Sequence, residues 1–136
     1  VVPWPRETLC PGVFQAATRW VVKSPMKFPR REANRGNNSS GIILDPPAYG
    51  HGPDGEKWKL DELLWSLMQN VSAILSDRDA FLVLNLYSNG YSAALGETVV
   101  REAFRGQFKE MTSGELSLTD SFGKNLPLSI FVRLKR

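Results

Sequence analysis

Two short apolar runs, each stopped by turn residues, bracket the best helical pattern in the chain. Gly41-Ile42-Ile43-Leu44 ends at Asp45-Pro46-Pro47, and Ala80-Phe81-Leu82-Val83-Leu84-Asn85-Leu86-Tyr87 ends at Ser88-Asn89-Gly90. Between them Leu60, Leu63, Leu64, Leu67, Met68, Val71, Ile74 and Leu75 recur at three- and four-residue steps, which places them on one helix face. Apolar runs of this length without alternation read as buried strands of the parallel-sheet kind. Strand, helix and strand in succession require parallel pairing through a right-handed crossover.

The remaining chain extends this pattern. Pro3, Pro5 and Pro11 make residues 1–18 an irregular, Pro-rich lead-in, because each proline lacks an amide donor. Residues 19–22 (Arg-Trp-Val-Val) form a strand candidate. Residues 26–34 can hold a short helix at best, since Pro29 falls within it. Residues 48–56 read as a Gly-rich loop, with Lys57, Trp58 and Lys59 opening the long helix and Trp58 packing. A second helix is expected over 92–104, with Leu95, Val99 and Phe104 inward and weakened at Gly96 by about 1 kcal/mol. Alternation at 114–118 and 128–134 predicts a closing antiparallel hairpin.

Composition sets outer limits. The chain has 136 residues, enough for one domain and its core, with 42% hydrophobic and 23% charged residues, which excludes wholesale disorder. Cys10 and His51 are the only residues of their types, so a disulfide framework and a zinc cluster are excluded, and no metal is expected. No apolar run approaches a membrane span, and no secretory signal opens the chain. An intracellular location is expected, with no membrane partner. The net charge of +3 permits a nucleic-acid partner without requiring one. The first residue is Val rather than Met, which reads as a fragment or a processed chain.

In an open α/β sheet, ligands lie beyond the carboxyl ends of the strands. Here those ends are Lys23-Ser24, Asp45-Pro46-Pro47-Ala48-Tyr49 and Tyr87-Ser88-Asn89. The two prolines fix the carbonyls of Asp45 and Pro46 and leave an acceptor-rich rim, suited to the hydrogens of an amino group. Tyr49 offers a face on which a planar base can stack. A plain strand-to-loop turn capped by Asp45 accounts for the same residues. His51 fits either a phosphate or base contact or a solvated loop. Lys23, Lys27, Arg30, Arg31 and Arg35 form a basic run that suits RNA phosphates or a solvated face.

The stretch from Gly41 through Asp45-Pro46-Pro47-Ala48-Tyr49-Gly50-His51-Gly52-Pro53 to Gly55-Glu56-Lys57-Trp58-Lys59 resembles the class I S-adenosylmethionine-dependent methyltransferases. Within them it is most similar to the group related to large-subunit ribosomal RNA methyltransferases. The resemblance covers residues 19–136. It implies the fold class α/β, as a partial Rossmann-like methyltransferase sheet, mostly parallel with a terminal antiparallel hairpin. It also implies S-adenosylmethionine as cofactor and a base of RNA as methyl acceptor. Asp45, Pro46, Pro47 and Tyr49 would form the catalytic, acceptor-side site. Asp45, Pro46, Lys23 and Ser24 would border the donor, and Tyr49, His51 and Lys57 would contact substrate. Positioning and desolvation would carry most of the rate of an in-line displacement at a sulfonium methyl.

The resemblance further implies that residues 19–136 are the carboxyl-terminal part of the domain. The amino-terminal part, with the Gly-rich donor loop and the ribose carboxylate, would precede Val1; no G-x-G-x-G occurs in the chain. Activity is thus expected of the intact parent rather than of the isolated chain. The strand at Gly41 would be an open edge, prone to self-association. The alternative reading is a degenerate, non-catalytic Rossmann-like remnant that binds RNA or a protein. Asn85-Leu86-Tyr87-Ser88 holds no cysteine for covalent chemistry, and Cys10 reads as a bystander.

Overall fold

The computed structural model describes residues 24–52, 55–87 and 90–136. The strand expected at 19–22 and the donor-side Lys23 lie outside the described residues. The elements in chain order are α1 (Lys27–Asn34), β1 (Gly41–Leu44), β2 (Tyr49–His51), β3 (Lys57–Lys59), α2 (Leu60–Ser72), β4 (Phe81–Tyr87), α3 (Ala93–Ala103), β5 (Glu110–Thr119) and β6 (Asn125–Lys135).

The two apolar runs pair as the crossover argument requires. β1 lies parallel to β4, with Gly41 opposite Phe81 and Leu44 opposite Leu84. β6 enters antiparallel to β4, and β5 closes the sheet antiparallel to β6, giving the order β1-β4-β6-β5. This is the expected α/β sheet with its terminal antiparallel hairpin, and β1 is an edge strand of the described sheet. The hairpin is longer than its alternating segments suggested, because it extends out to a turn where Gly123 takes φ 81° and Asp120 accepts from the amides of Phe122 and Lys124. A bulge near Leu116 and Ser117 accommodates Pro127 within β6.

The core lies on one face of the sheet. Leu82, Leu84 and Leu86 of β4 and Ile130, Val132 and Leu134 of β6 pack against Leu60, Leu64, Leu67, Met68 and Val71 of α2 and against Val100, Ala103 and Phe104. The opposite side of β4 carries Phe81 and Tyr87, 47% and 54% exposed. β4 is thus not buried on both faces among the described residues, as its largely apolar run had suggested. α2 ends at Ser72, short of the full periodic pattern. Ile74 and Leu75 are nevertheless buried, held by a bridge in which the Ser39 amide donates to the Ile74 carbonyl.

The short helix expected within 26–34 is α1, and it tolerates Pro29 as its third residue, in a first turn whose amides have no intrahelical acceptor. Two local expectations are corrected. Lys57, Trp58 and Lys59 do not open the helix: they form β3, antiparallel to β2, so the Gly-rich stretch is a second small hairpin. Leu95 points outward at 45% exposure, while Gly96 faces the sheet. α3 starts one residue after Ser92, whose hydroxyl accepts from the Leu95 amide as an N-cap. No described helix is long and apolar enough to cross a membrane.

Candidate functional site

Asp45 follows β1 directly and comes beside Asn85 near the carboxyl end of β4, as the parallel register dictates. The Asn85 side-chain Nδ2 donates to Asp45 Oδ1 at 2.8 Å, and Ser129 Oγ of β6 donates to Asn85 Oδ1 at 2.7 Å. Polar atoms contributed from three neighbouring strand lines therefore form one chain ending on an exposed carboxylate. Asp45 Oδ2 has no hydrogen bond among the described residues. Pro46 is buried and Pro47 exposed, so the dipeptide is anchored on one side and open on the other.

The β2–β3 hairpin holds the rest of the rim. Trp58 Nε1 donates to the Pro47 carbonyl at 2.5 Å while its ring packs against the core. The Leu60 amide donates to the Ala48 carbonyl at 2.9 Å. Pairing of Tyr49 with Lys59 and of His51 with Lys57 gathers the aromatic and cationic candidates on one small ribbon. Tyr49 and His51, two residues apart in β2, project to the same side. Their rings meet edge to face, with centroids 5.2 Å apart, and Tyr49 Oη lies 3.2 Å from His51 Nε2. Tyr49 remains 58% exposed, so a ring face is open to a planar group.

Beside Tyr49 lies a shallow hollow of about 270 Å³ lined by Ala48, Tyr49, Lys59, Asp61 and Tyr91. Desolvation, followed by the charge of Asp61, raises the Tyr91 phenol above its ordinary range, which keeps it a hydrogen-bond donor. Lys59 Nζ bonds to Glu62 Oε1 at 2.6 Å, and that hydrogen bond, followed by the charge of Glu62, raises the ammonium above its usual value. A larger hollow of about 380 Å³, lined by Asp77, Gln107, Phe108, Lys109 and Arg136, lies at the opposite end of β4, where the Arg136 amide donates to the Ala80 carbonyl. It contains none of the rim residues.

The other expected positions are distributed differently. Ser24 is separate from the rim: its carbonyl accepts from the amides of Lys27 and Phe28 and so starts α1. In the basic run, Arg35 pairs with Glu32 at 3.0 Å and Lys27 reaches Glu56 of the hairpin loop at 3.6 Å. That second contact sets α1 next to the ribbon carrying His51 and Lys57. Among the described residues no group of three His, Cys, Asp or Glu side chains is placed to hold a metal. Asn85, Ser129 and Tyr91 were absent from the expected site. The one signal in the sequence was Asn85, the single polar residue within the apolar run of β4.

No protein-family profile and no curated protein matches the chain. Solved structures do. An S-adenosylmethionine-dependent methyltransferase from Agrobacterium tumefaciens aligns with a TM-score of 0.78 and 34% identity, over 86% of this chain and 39% of its own. The chain has part of the class I methyltransferase fold. SMU.776, named as a methyltransferase and solved in complex with SAH, aligns with a TM-score of 0.63 over 84% of this chain and 30% of its own, at 16% identity. A Streptococcus mutans protein named as a SAM-dependent methyltransferase gives a TM-score of 0.60 at the same identity and coverage. At that identity these two bear on the fold alone. The chain spans less than half the length of each of these structures. Within the methyltransferase fold, the rim from Asp45 to Tyr49 stands at the strand-end position where α/β sheets bind ligands.

Proposed function

We propose that this chain forms the acceptor side of an S-adenosylmethionine-dependent methyltransferase whose substrate is a base of RNA, with activity residing in the intact protein. The observation that carries the reading is the Asp45 carboxylate, held through one oxygen by Asn85 while the other has no partner among the described residues. Such a group, at a strand end beside two prolines, suits the hydrogens of an exocyclic amino group and orients the acceptor atom. S-adenosylmethionine would supply an electrophilic methyl on sulfur. Of the described residues, Asp45 and Pro46 would border it, and Ser24 is not joined to them.

The RNA part of the reading rests on the ribbon beside the carboxylate. Tyr49 offers an open ring face for base stacking, worth about 1–3 kcal/mol per base. His51 and Lys57 flank it, and the exposed Arg30 and Arg31 of the neighbouring α1 extend the cationic rim for phosphates. The test is transfer of tritium from labelled S-adenosylmethionine to unmethylated total RNA by the intact protein. Incorporation that is lost in Asp45→Ala is the expected result. Binding of RNA without incorporation would overturn the reading in favour of a non-catalytic binding module.

A further inference from the structure

Asn85 interrupts an otherwise apolar strand, and its two amide atoms are both engaged. A carboxylate only accepts hydrogen bonds, so the atom facing Asp45 must be Nδ2. The amide oxygen is then turned toward β6, where the hydroxyl of Ser129, itself only 5% exposed, donates to it. The donor sequence Ser129 to Asn85 to Asp45 therefore has one direction, with distances of 2.7 and 2.8 Å. Because each link sits on a backbone line of the sheet, the terminal carboxylate inherits the rigidity of β4 and β6 rather than that of the loop it begins.

We propose that Asn85 is a positioning residue, locked by Ser129, that holds the Asp45 carboxylate in a single orientation with Oδ2 left for the methyl acceptor. The proposal rests on the methyl-transfer reading above and adds to it a pair of residues on two other strands. Asn85 acts through Asp45 and touches neither donor nor acceptor. Without it, the carboxylate would rotate about its own side-chain bonds and the acceptor would be held in several poses, which lowers turnover more than binding.

The test uses Asn85→Ala, Asn85→Asp, Ser129→Ala and the exchange D45N/N85D in the intact protein. Asn85→Asp sets two carboxylates against each other and should lower the thermal midpoint, and the exchange, which restores one donor and one acceptor, should recover it. Asn85→Ala should cut kcat by about 10- to 100-fold with KM for S-adenosylmethionine changed less than about twofold, and Ser129→Ala should cut it less. The exchange should remain inactive although stable, because the carboxylate then sits on the wrong strand. A kcat unchanged in Asn85→Ala, or an exchange that fails to recover the midpoint lost in Asn85→Asp, would overturn the proposal. In a protein that transfers no methyl group, the methyl-transfer reading and the acceptor role proposed for Asp45 fall together. The midpoints of the single and exchanged variants then still decide whether Asn85 holds Asp45.

Discussion

Gly96 of α3 lies so close to Ile130 of β6 that a β-carbon built on it would sit 2.7 Å from Ile130 Cδ1, and 3.1 Å from Val132 Cγ2. The glycine that weakens the helix in isolation is the point at which the helix meets the sheet. Gly96→Ala should therefore destabilise the fold despite a gain of about 1 kcal/mol in helix propensity. Both contacted side chains belong to the buried core and have little room to move. Overpacking of this kind costs about 1–3 kcal/mol, so a net loss of roughly 0–2 kcal/mol is expected in urea unfolding. A variant more stable than the parent would show that α3 shifts freely on the sheet.

On the proposed function, Asp45→Ala in the intact protein should reduce the turnover of methyl transfer by about 10- to 100-fold while leaving donor affinity nearly unchanged. The comparison needs single-turnover kinetics together with calorimetric titration of S-adenosylmethionine. An unaltered turnover number would remove Asp45 from the mechanism.

Trp58→Phe keeps a ring against the core but removes the donor to the Pro47 carbonyl. The Asp45–Tyr49 rim then loses the side-chain bond that ties Pro47 to the β2–β3 ribbon. A stability loss of about 1 kcal/mol is expected, with a rise in KM for the proposed RNA substrate larger than any change in KM for the methyl donor. Steady-state kinetics with each substrate varied in turn will separate the two.

Arg136 is 6% exposed, and its guanidinium donates to the carbonyls of Leu75 at 2.7 Å and Gln107 at 3.1 Å while lying 5.0 Å from the centre of the Phe104 ring. Its ion pair with Asp77 involves a carboxylate that is 92% exposed and contributes little. Arg136→Met preserves the packing but leaves the buried Leu75 carbonyl without its donor, and should lower the unfolding free energy by about 2 kcal/mol. Chemical denaturation at neutral pH measures it.

Glu97 gives the pH dependence. Ser113 Oγ donates to its Oε2 and Arg101 to its Oε1, both at 2.7 Å, and these bonds hold the carboxyl below its ordinary range, the serine contributing most. A carboxylate depressed in the folded state adds stability that is complete above its unfolded pKa, near 4.3, and fades as pH falls through the folded value. The stability difference between the parent and Ser113→Ala should accordingly be constant at neutral pH and shrink in acid. NMR titration of the Glu97 carboxyl should show it moved upward in the variant.

The elements legible in the sequence were those with a strong local period. The apolar runs at β1 and β4, the leucine face of α2 and the alternation of the last hairpin each follow from burying one surface, and Asp45-Pro46-Pro47 marked the strand end at which the rim stands. The tertiary structure alone decided features that depend on residues remote in the chain. Gly50 faces Trp58 because β2 and β3 pair, which no run of three residues announces. Gly96, not Leu95, turns inward because Ile130 and Val132 occupy the space a side chain would need. Asp45, Asn85 and Ser129 meet across 40 and 44 residues of sequence because parallel and antiparallel registers place them on adjacent strand lines. Local periodicity reports which face of an element is apolar; it carries no information on which polar groups a sheet will bring within hydrogen-bonding distance.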